Sequence, residues 1–361
     1  NRYSFTSAGT CKFRWWLASW KPLDAGNAAE PLTVEGTIVA PDVAPGESGI
    51  LVLELPRNWQ DFEALYLEAR DPAGREIFTW SWPITGPGPA NTKPDDRAGI
   101  IPSVAESDSL VTVTCSTAQY VFNRKTGYLE QIEREGNPVP FNGGPRLAGA
   151  DVIPGNFSIT KQNGVVEIMV DYKGKDEGDW MNATWSFDSS DVAKPEYQYR
   201  YSGDKAYMGL TFNLPLNELV KVSYLGYGPY RVWKNRLRGQ RFGYWEKFPN
   251  NTVTGESYDY PEFPGYYAGV RQAVLHTRQG KITITSGNEE FFLQLYRPSN
   301  PVGASNNNTS PAFPDGDIGF LSAIAPIGTK FQSAASIGPQ SQPNAMYTTT
   351  PIQGVLYFKF E

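Results

Sequence analysis

The 361 residues carry 32 Lys and Arg against 38 Asp and Glu, a formal net charge of −6 with the two signs interspersed. The chain therefore has neither the basic footprint of a nucleic-acid binder nor a polybasic membrane patch. Aromatic residues make up 14 %, Gly and Pro number 35 and 29, and 19 % are charged, a balance suited to many turns and broad aromatic surfaces rather than long solvated helices.

This length predicts two domains. No apolar run reaches the ~18 to 20 residues of a membrane helix, and residues 1–20 lack the charged-then-apolar order of a signal peptide. In chain order, imperfect alternation over Cys11 to Trp20 is followed by strand-like runs at Thr33 to Val39, Ile50 to Leu55, Ala64 to Arg70 and Glu76 to Trp82. The turn signals Asp42-Val-Ala-Pro-Gly46 and Asp71-Pro-Ala-Gly74 separate them. Short strands at this spacing predict an immunoglobulin-like β-sandwich over residues 1–84. About five strands are few for that fold, so its first strands are expected upstream of Asn1.

Residues 85–108 lose periodicity and fill with Pro, Gly, Asp and Asn, which predicts a linker. Beyond it, alternating runs recur at Leu110 to Cys115, Ala118 to Asn123, Val165 to Tyr172, Ala183 to Phe187, Glu196 to Tyr201, Ala206 to Leu214, Lys281 to Thr285, Phe291 to Tyr296 and Gly354 to Phe360. Tyr197, Tyr199 and Tyr201 fall on one strand face, as do Leu356, Phe358 and Phe360. Strands without helical crossovers pair antiparallel, which predicts a large β-sandwich over residues 109–361. The fold class expected is all-β.

Candidate chemistry is sparse. His276 is the only histidine, which excludes serine-type triads of the usual kind and histidine-rich metal sites; a structural role is expected for it. Cys11 and Cys115 are too few for a disulfide framework or a four-ligand zinc site and read as buried thiols. No phosphate-cradling loop or dinucleotide fingerprint occurs, so no cofactor and no metal are expected. The Asn-x-Ser/Thr triplets at Asn156, Asn182, Asn250 and Asn307 fix no compartment. Glycoside hydrolysis needs two carboxylates across the scissile bond; Glu246, Glu256, Asp259 and Glu262 cluster in sequence, although surface carboxylates more often solvate turns.

The run from Tyr224 to Trp245 interleaves aromatics and arginines around glycines with no regular period and reads as a shaped loop surface. Indole and phenol rings stack on the apolar faces of sugars, while guanidinium groups donate to ring and hydroxyl oxygens or to an acidic sugar's carboxylate. The same composition also suits cation–π packing of an irregular loop against a sandwich. The residues alone leave both readings open.

Three motifs add a resemblance. Phe122-Asn-Arg-Lys-Thr-Gly-Tyr-Leu129 resembles the hairpin that opens the last domain of glycoside hydrolase family 2 enzymes of the large β-galactosidase type. Leu225-Gly-Tyr-Gly-Pro229, with Arg236 downstream, resembles a motif of the same domain, and Val43-Ala-Pro-Gly46 before Ile50 resembles a turn of the preceding immunoglobulin-like domain. The resemblance spans nearly the whole chain in order. It implies that the second domain is a supersandwich of galactose-mutarotase type and that the catalytic carboxylates lie on a separate barrel upstream, so this chain carries no catalytic residue and is inactive alone.

The departures bear on substrate. Arg231, Trp233 and Asn235 stand where the β-galactosidases have Glu, Tyr and Asp, and Asp317 stands where lactose-cleaving members place a tryptophan, with Phe320 the nearest aromatic. Trp245 through Tyr267 looks more like divergent members associated with plant or host polysaccharides. The resemblance implies Trp233, Arg236, Trp245, Glu246, Asp317 and Phe320 as sugar contacts, a β-galactoside or related oligosaccharide as ligand, and the upstream barrel as partner. A free-standing carbohydrate-binding protein, or a polysaccharide lyase or sugar epimerase on the same kind of fold, are the alternatives.

Overall fold

The computed structural model of the chain describes all residues except 22, 24–29, 85–99, 250–264, 298–307 and 310. It divides into two compact units, Asn1–Gly86 with Arg241–Tyr244, and Pro87–Gln240 with Trp245–Glu361. The fold is all-β, built from antiparallel sheets.

The first unit holds strands β1 (Lys12–Ser19), β2 (Leu32–Ile38), β3 (Ala64–Arg70) and β4 (Glu76–Pro83) in one sheet of order β2-β1-β3-β4. Trp15, Leu17 and Phe62 form its buried centre, with Leu53, Leu55 and Trp59 packed against them. The strand expected at Ile50 to Leu55 is not one. That stretch lies between Gly49 and Pro56 and makes no ladder; Leu53 and Leu55 reach the core, while Ile50 and Val52 stay exposed. Among the described residues β1 to β4 therefore make one four-stranded sheet without a strand at Ile50 to Leu55. Cys11 is buried and free, and burial raises its thiol pKa.

Twenty further strands follow among the described residues. They begin with β5 (Ser103–Glu106), β6 (Leu110–Thr114), β7 (Ala118–Asn123), β8 (Leu129–Arg134), β9 (Asn137–Val139), β10 (Asn142–Ala148), β11 (Val152–Gln162) and β12 (Val165–Gly174). Next come β13 (Trp180–Phe187), β14 (Val192–Arg200), β15 (Asp204–Lys205), β16 (Met208–Asn213), β17 (Leu219–Val232) and β18 (Arg241–Lys247). The last are β19 (Tyr266–Thr277), β20 (Lys281–Ser286), β21 (Phe291–Leu295), β22 (Ile318–Ala323), β23 (Asn344–Ala345) and β24 (Ile352–Phe360). β5 pairs with β6 from Ser103 onward, so the end of the expected linker already belongs to the sheet.

Two antiparallel ladders make the sandwich. One runs β11-β12-β13-β14-β24-β20-β19-β17. The other runs β8-β10-β16-β22-β21 and joins the first at β19, with β5 to β9 attached through β8. Strict alternation sends one face of each strand inward; in β13, Met181, Ala183, Trp185 and Phe187 are buried between partly exposed polar neighbours. Between the layers Trp185 and Phe358 meet Phe212 at ring-centroid distances of 6.3 and 5.9 Å, and Phe141 stacks on Phe212 at 4.8 Å. Cys115 lies in this core as a free thiol whose pKa burial pushes up to about 12.

The Phe122 to Leu129 motif is the hairpin between β7 and β8. Asn123 Oδ1 accepts the backbone N–H of Lys125 at 2.7 Å, and Gly127, at φ +72°, closes the turn onto the Asn123 carbonyl at 2.8 Å. A side chain at 127 would be strained at that φ and would strike Val170 and the Tyr172 phenol, whose hydroxyl donates to the Gly127 carbonyl. That double requirement explains why the sequence has glycine there.

Candidate functional site

The aromatic and arginine-rich run is a strand for most of its length, contrary to the loop its pattern suggests. β17 carries Tyr224 to Val232 and pairs with β19 through register shifts between Leu225 and Tyr227 and again before Val232. These bulges erase the two-residue period on which a strand is read. Gly226 and Gly228 have a packing role: Trp245 donates its Nε1 to the Gly226 carbonyl at 3.1 Å, and a Cβ at 228 would sit 2.6 Å from the indole.

After β17 the chain turns through Trp233 to Arg236, closed by the Arg236 N–H to the Trp233 carbonyl at 2.8 Å. The turn is joined to a segment 92 residues away. Asn235 Nδ2 donates to the Ile327 carbonyl at 2.8 Å and to Ser341 Oγ at 2.9 Å, while its Oδ1 accepts the Ile327 N–H at 3.0 Å. Arg236 Nη2 donates to the Gly328 carbonyl at 2.7 Å, and Lys234 Nζ caps the carbonyls of Gln342 and Pro343. Replacing Asn235 by alanine strands the part-buried Ile327 groups, at a cost of about 1 to 3 kcal/mol. Hydrogen exchange at the Ile327 amide should accelerate accordingly, with the β12–β13 amides unchanged.

The six residues expected at a sugar site do not form one constellation. Trp233 is 2 % exposed, packed edge-on against Tyr266 and Phe313 at 5.5 and 5.3 Å, and Phe320 is 1 % exposed among Phe212, Phe291 and Phe358. Their rings are covered by protein, so both are corrected from sugar contacts to core residues; an apolar indole or phenyl gains more from packing at these positions than from a wet surface. Asp317 caps a strand end, its Oδ2 accepting the Leu214 N–H at 2.8 Å and its own N–H bonding the Phe212 carbonyl at 2.9 Å. Arg236 lies at the surface, Trp245 is half-buried and Glu246 is exposed.

Glu246 joins a polar group assembled from three strands. Lys221 Nζ meets its carboxylate at 2.7 Å, Ser223 Oγ lies 3.4 Å from the same oxygen, and Ser223 Oγ is 3.0 Å from His276 Nε2. The Lys221 hydrogen bond holds the Glu246 carboxyl below its usual range, and burial, together with Lys221 and Lys281, lowers the His276 pKa. Ser223 is 1 % exposed and the carboxylate contacts serine rather than the histidine, so the group lacks the order of a nucleophilic triad. The other members of the expected carboxylate cluster, Glu256, Asp259 and Glu262, lie outside the described residues, as do Asn250 and Asn307. Among the described residues no group of three or more His, Cys, Asp or Glu is placed to hold a metal ion.

The fold exposes aromatics that the sequence pattern does not single out, Phe331 and Tyr347 among them. Phe331 is 85 % exposed just beyond Gly328, and Tyr347 is 93 % exposed. Neither belongs to a periodic run, so only the fold distinguishes them from buried rings.

No protein-family model matches the chain, and no curated sequence does. Among solved structures it is similar to a candidate aldose 1-epimerase from Escherichia coli K12, at 12 % identity over 72 % of this chain and 98 % of the other, with a TM-score of 0.34. An aldose epimerase homologue from C. elegans shows 9 % identity over 72 % and 99 % with a TM-score of 0.34. A galactose mutarotase related enzyme from Lactobacillus acidophilus shows 9 % identity over 72 % and 97 % with a TM-score of 0.32. Likenesses of that size transfer no activity to this chain.

Proposed function

We propose that this chain is the non-catalytic, sugar-facing C-terminal part of a family 2 glycoside hydrolase, with the acid and nucleophile on an upstream barrel. The observation that carries the reading is the joining of the Trp233 to Arg236 turn to Ala325 through Gly328 by the Asn235 and Arg236 hydrogen bonds. The turn that follows β17 and a segment 92 residues further along the chain are thereby read as one continuous wall. On it, Arg236 supplies a guanidinium for hydroxyl or carboxylate oxygens and Phe331 an open ring for stacking. Trp245 and Glu246, on β18, extend the same reading, whereas Trp233 is packed in the apolar cluster that also holds Ala325 and Ile327.

This division of labour gives a direct test. The 361-residue chain should release nothing from a chromogenic β-galactoside. By calorimetry it should bind β-galacto-oligosaccharides, with Arg236→Ala and Phe331→Ala each weakening binding at the wall at least tenfold. Hydrolysis by the chain alone, or wall variants that bind like the parent, would overturn the proposal.

A further inference from the structure

On the outer face of the sandwich, away from the Trp233 to Arg236 wall in sequence, β13, β14 and β24 enclose an open groove of about 370 Å³. Asn182, Thr184, Glu196, Gln198, Asn288 and Gln353 supply its polar lining. Register makes the arrangement regular. Asn182, Gln198 and Gln353 stand opposite one another across the three strands, and Thr184, Glu196 and Val355 form the next row on the same face. Strand spacing and rise give the six positions a footprint of about 7 by 10 Å, the dimensions of a sugar ring with its hydroxyls.

The lining chemistry narrows the ligand. Ion pairing and apolar contact are both minor here: Glu196 is the one carboxylate, already paired with Lys194 at 2.7 Å, and Val355 is the one aliphatic side chain. Carboxamides and hydroxyls donate and accept at once, as sugar hydroxyls do. Asn288 engages its carbonyl with the Val355 N–H at 3.2 Å, which leaves its NH2 group to donate. The half-buried Gln198 and Thr184 and the exposed Gln353 make no side-chain hydrogen bond to other described residues. Gly354 completes the site, because a side chain there would collide with the Tyr197 phenol, and the bare backbone keeps the groove open.

We infer that this groove is a second carbohydrate-binding site, taking a neutral pyranose unit of an oligosaccharide through the carboxamide row Asn182, Gln198 and Gln353 of β13, β14 and β24. Nucleotides and sulfated or uronate sugars are disfavoured, because among the described residues no Lys or Arg lines the groove and its one charged lining group is the Glu196 carboxylate. The site shares no residue with the wall around Arg236, so either can exist without the other.

The test uses the 361-residue chain, a neutral β-1,4-galactotetraose and an oligogalacturonate of equal length. Calorimetry should show binding of the neutral sugar that the double variant Gln198→Ala, Gln353→Ala weakens at least tenfold while its melting temperature stays that of the parent. The Phe331→Ala variant should leave this component intact, and Glu196→Gln should retain it, because the role is hydrogen bonding rather than charge. Saturation-transfer difference spectra should show the sugar protons losing contact in the double variant only. Unchanged binding by a folded double variant, or tighter binding of the oligogalacturonate at this groove, would overturn the inference. Loss of binding in Phe331→Ala alone would support the wall and refute the groove.

Discussion

Replacing Asp179 by alanine is expected to destabilise the second unit by about 3 to 5 kcal/mol, the cost of leaving one partner of a buried ion pair uncompensated. The side chains of Asp179 and Lys205 are 1 % and 11 % exposed, and their charged atoms lie 2.8 Å apart. The carboxylate also accepts the N–H and Oγ of Ser202 at 2.6 and 3.0 Å, so its removal orphans several donors where water does not reach. Lys205 in turn stands over the Tyr201 ring at 5.6 Å. Tyr201 is itself buried and bonds the Ala148 carbonyl and the Gly209 N–H. Urea unfolding should show the midpoint falling with the slope unchanged, and the double variant Asp179→Asn, Lys205→Met should recover part of the loss.

The same pair sets an acid limit. Burial pushes the Asp179 carboxyl upward, but the hydrogen bonds from Lys205 and Ser202 outweigh it and hold the pKa below its ordinary value. With an unfolded value of about 3.9, the unfolded chain binds the proton more readily. The stabilisation is therefore complete above about pH 4 and is lost as pH falls through the lower folded value.

The second large effect separates core from surface. Phe320→Ala should cost about 3 to 5 kcal/mol, the range for deleting a buried phenylalanine, because the ring contacts Phe212, Phe291 and Phe358 in the centre of the sandwich. Phe320→Leu fills most of that volume and should recover most of it. Trp233→Ala belongs to the same class, although its cluster is smaller. If either residue were a sugar contact, its alanine variant would lose binding with little change in melting temperature. The packing predicts the reverse: a large loss of stability, with binding preserved in whatever fraction stays folded.

These two residues also show what the sequence could and could not reveal. Where strands alternate cleanly, as in β6, β7, β12, β13 and β24, the period alone marks the strand, and in β24 it also marks the buried face of Leu356, Phe358 and Phe360. It failed at β17 and β19, where bulges shift the register, and at β22, whose Ile318 to Leu321 are buried consecutively and so show no period. Trp233 and Phe320 are aromatic residues in motif positions, which suit stacking and core alike; only burial separates the two. The polar group of Lys221, Ser223, Glu246 and His276 was illegible because pairing of β17, β18 and β19 brings together residues up to 55 positions apart. The groove of β13, β14 and β24 was hidden for a related reason. Its amides occupy the outward positions of ordinary alternating strands, where Asn and Gln usually face water.

The central claim is that this chain presents sugar-binding surface without cleaving sugar, and diffraction from crystals soaked with a β-galacto-oligosaccharide tests it most directly. The account predicts intact sugar ordered against Arg236 and Phe331, with its glycosidic bonds uncut. Cleaved product, or ordered sugar found only at positions remote from the wall formed by residues 233–236 and 325–331, would contradict it.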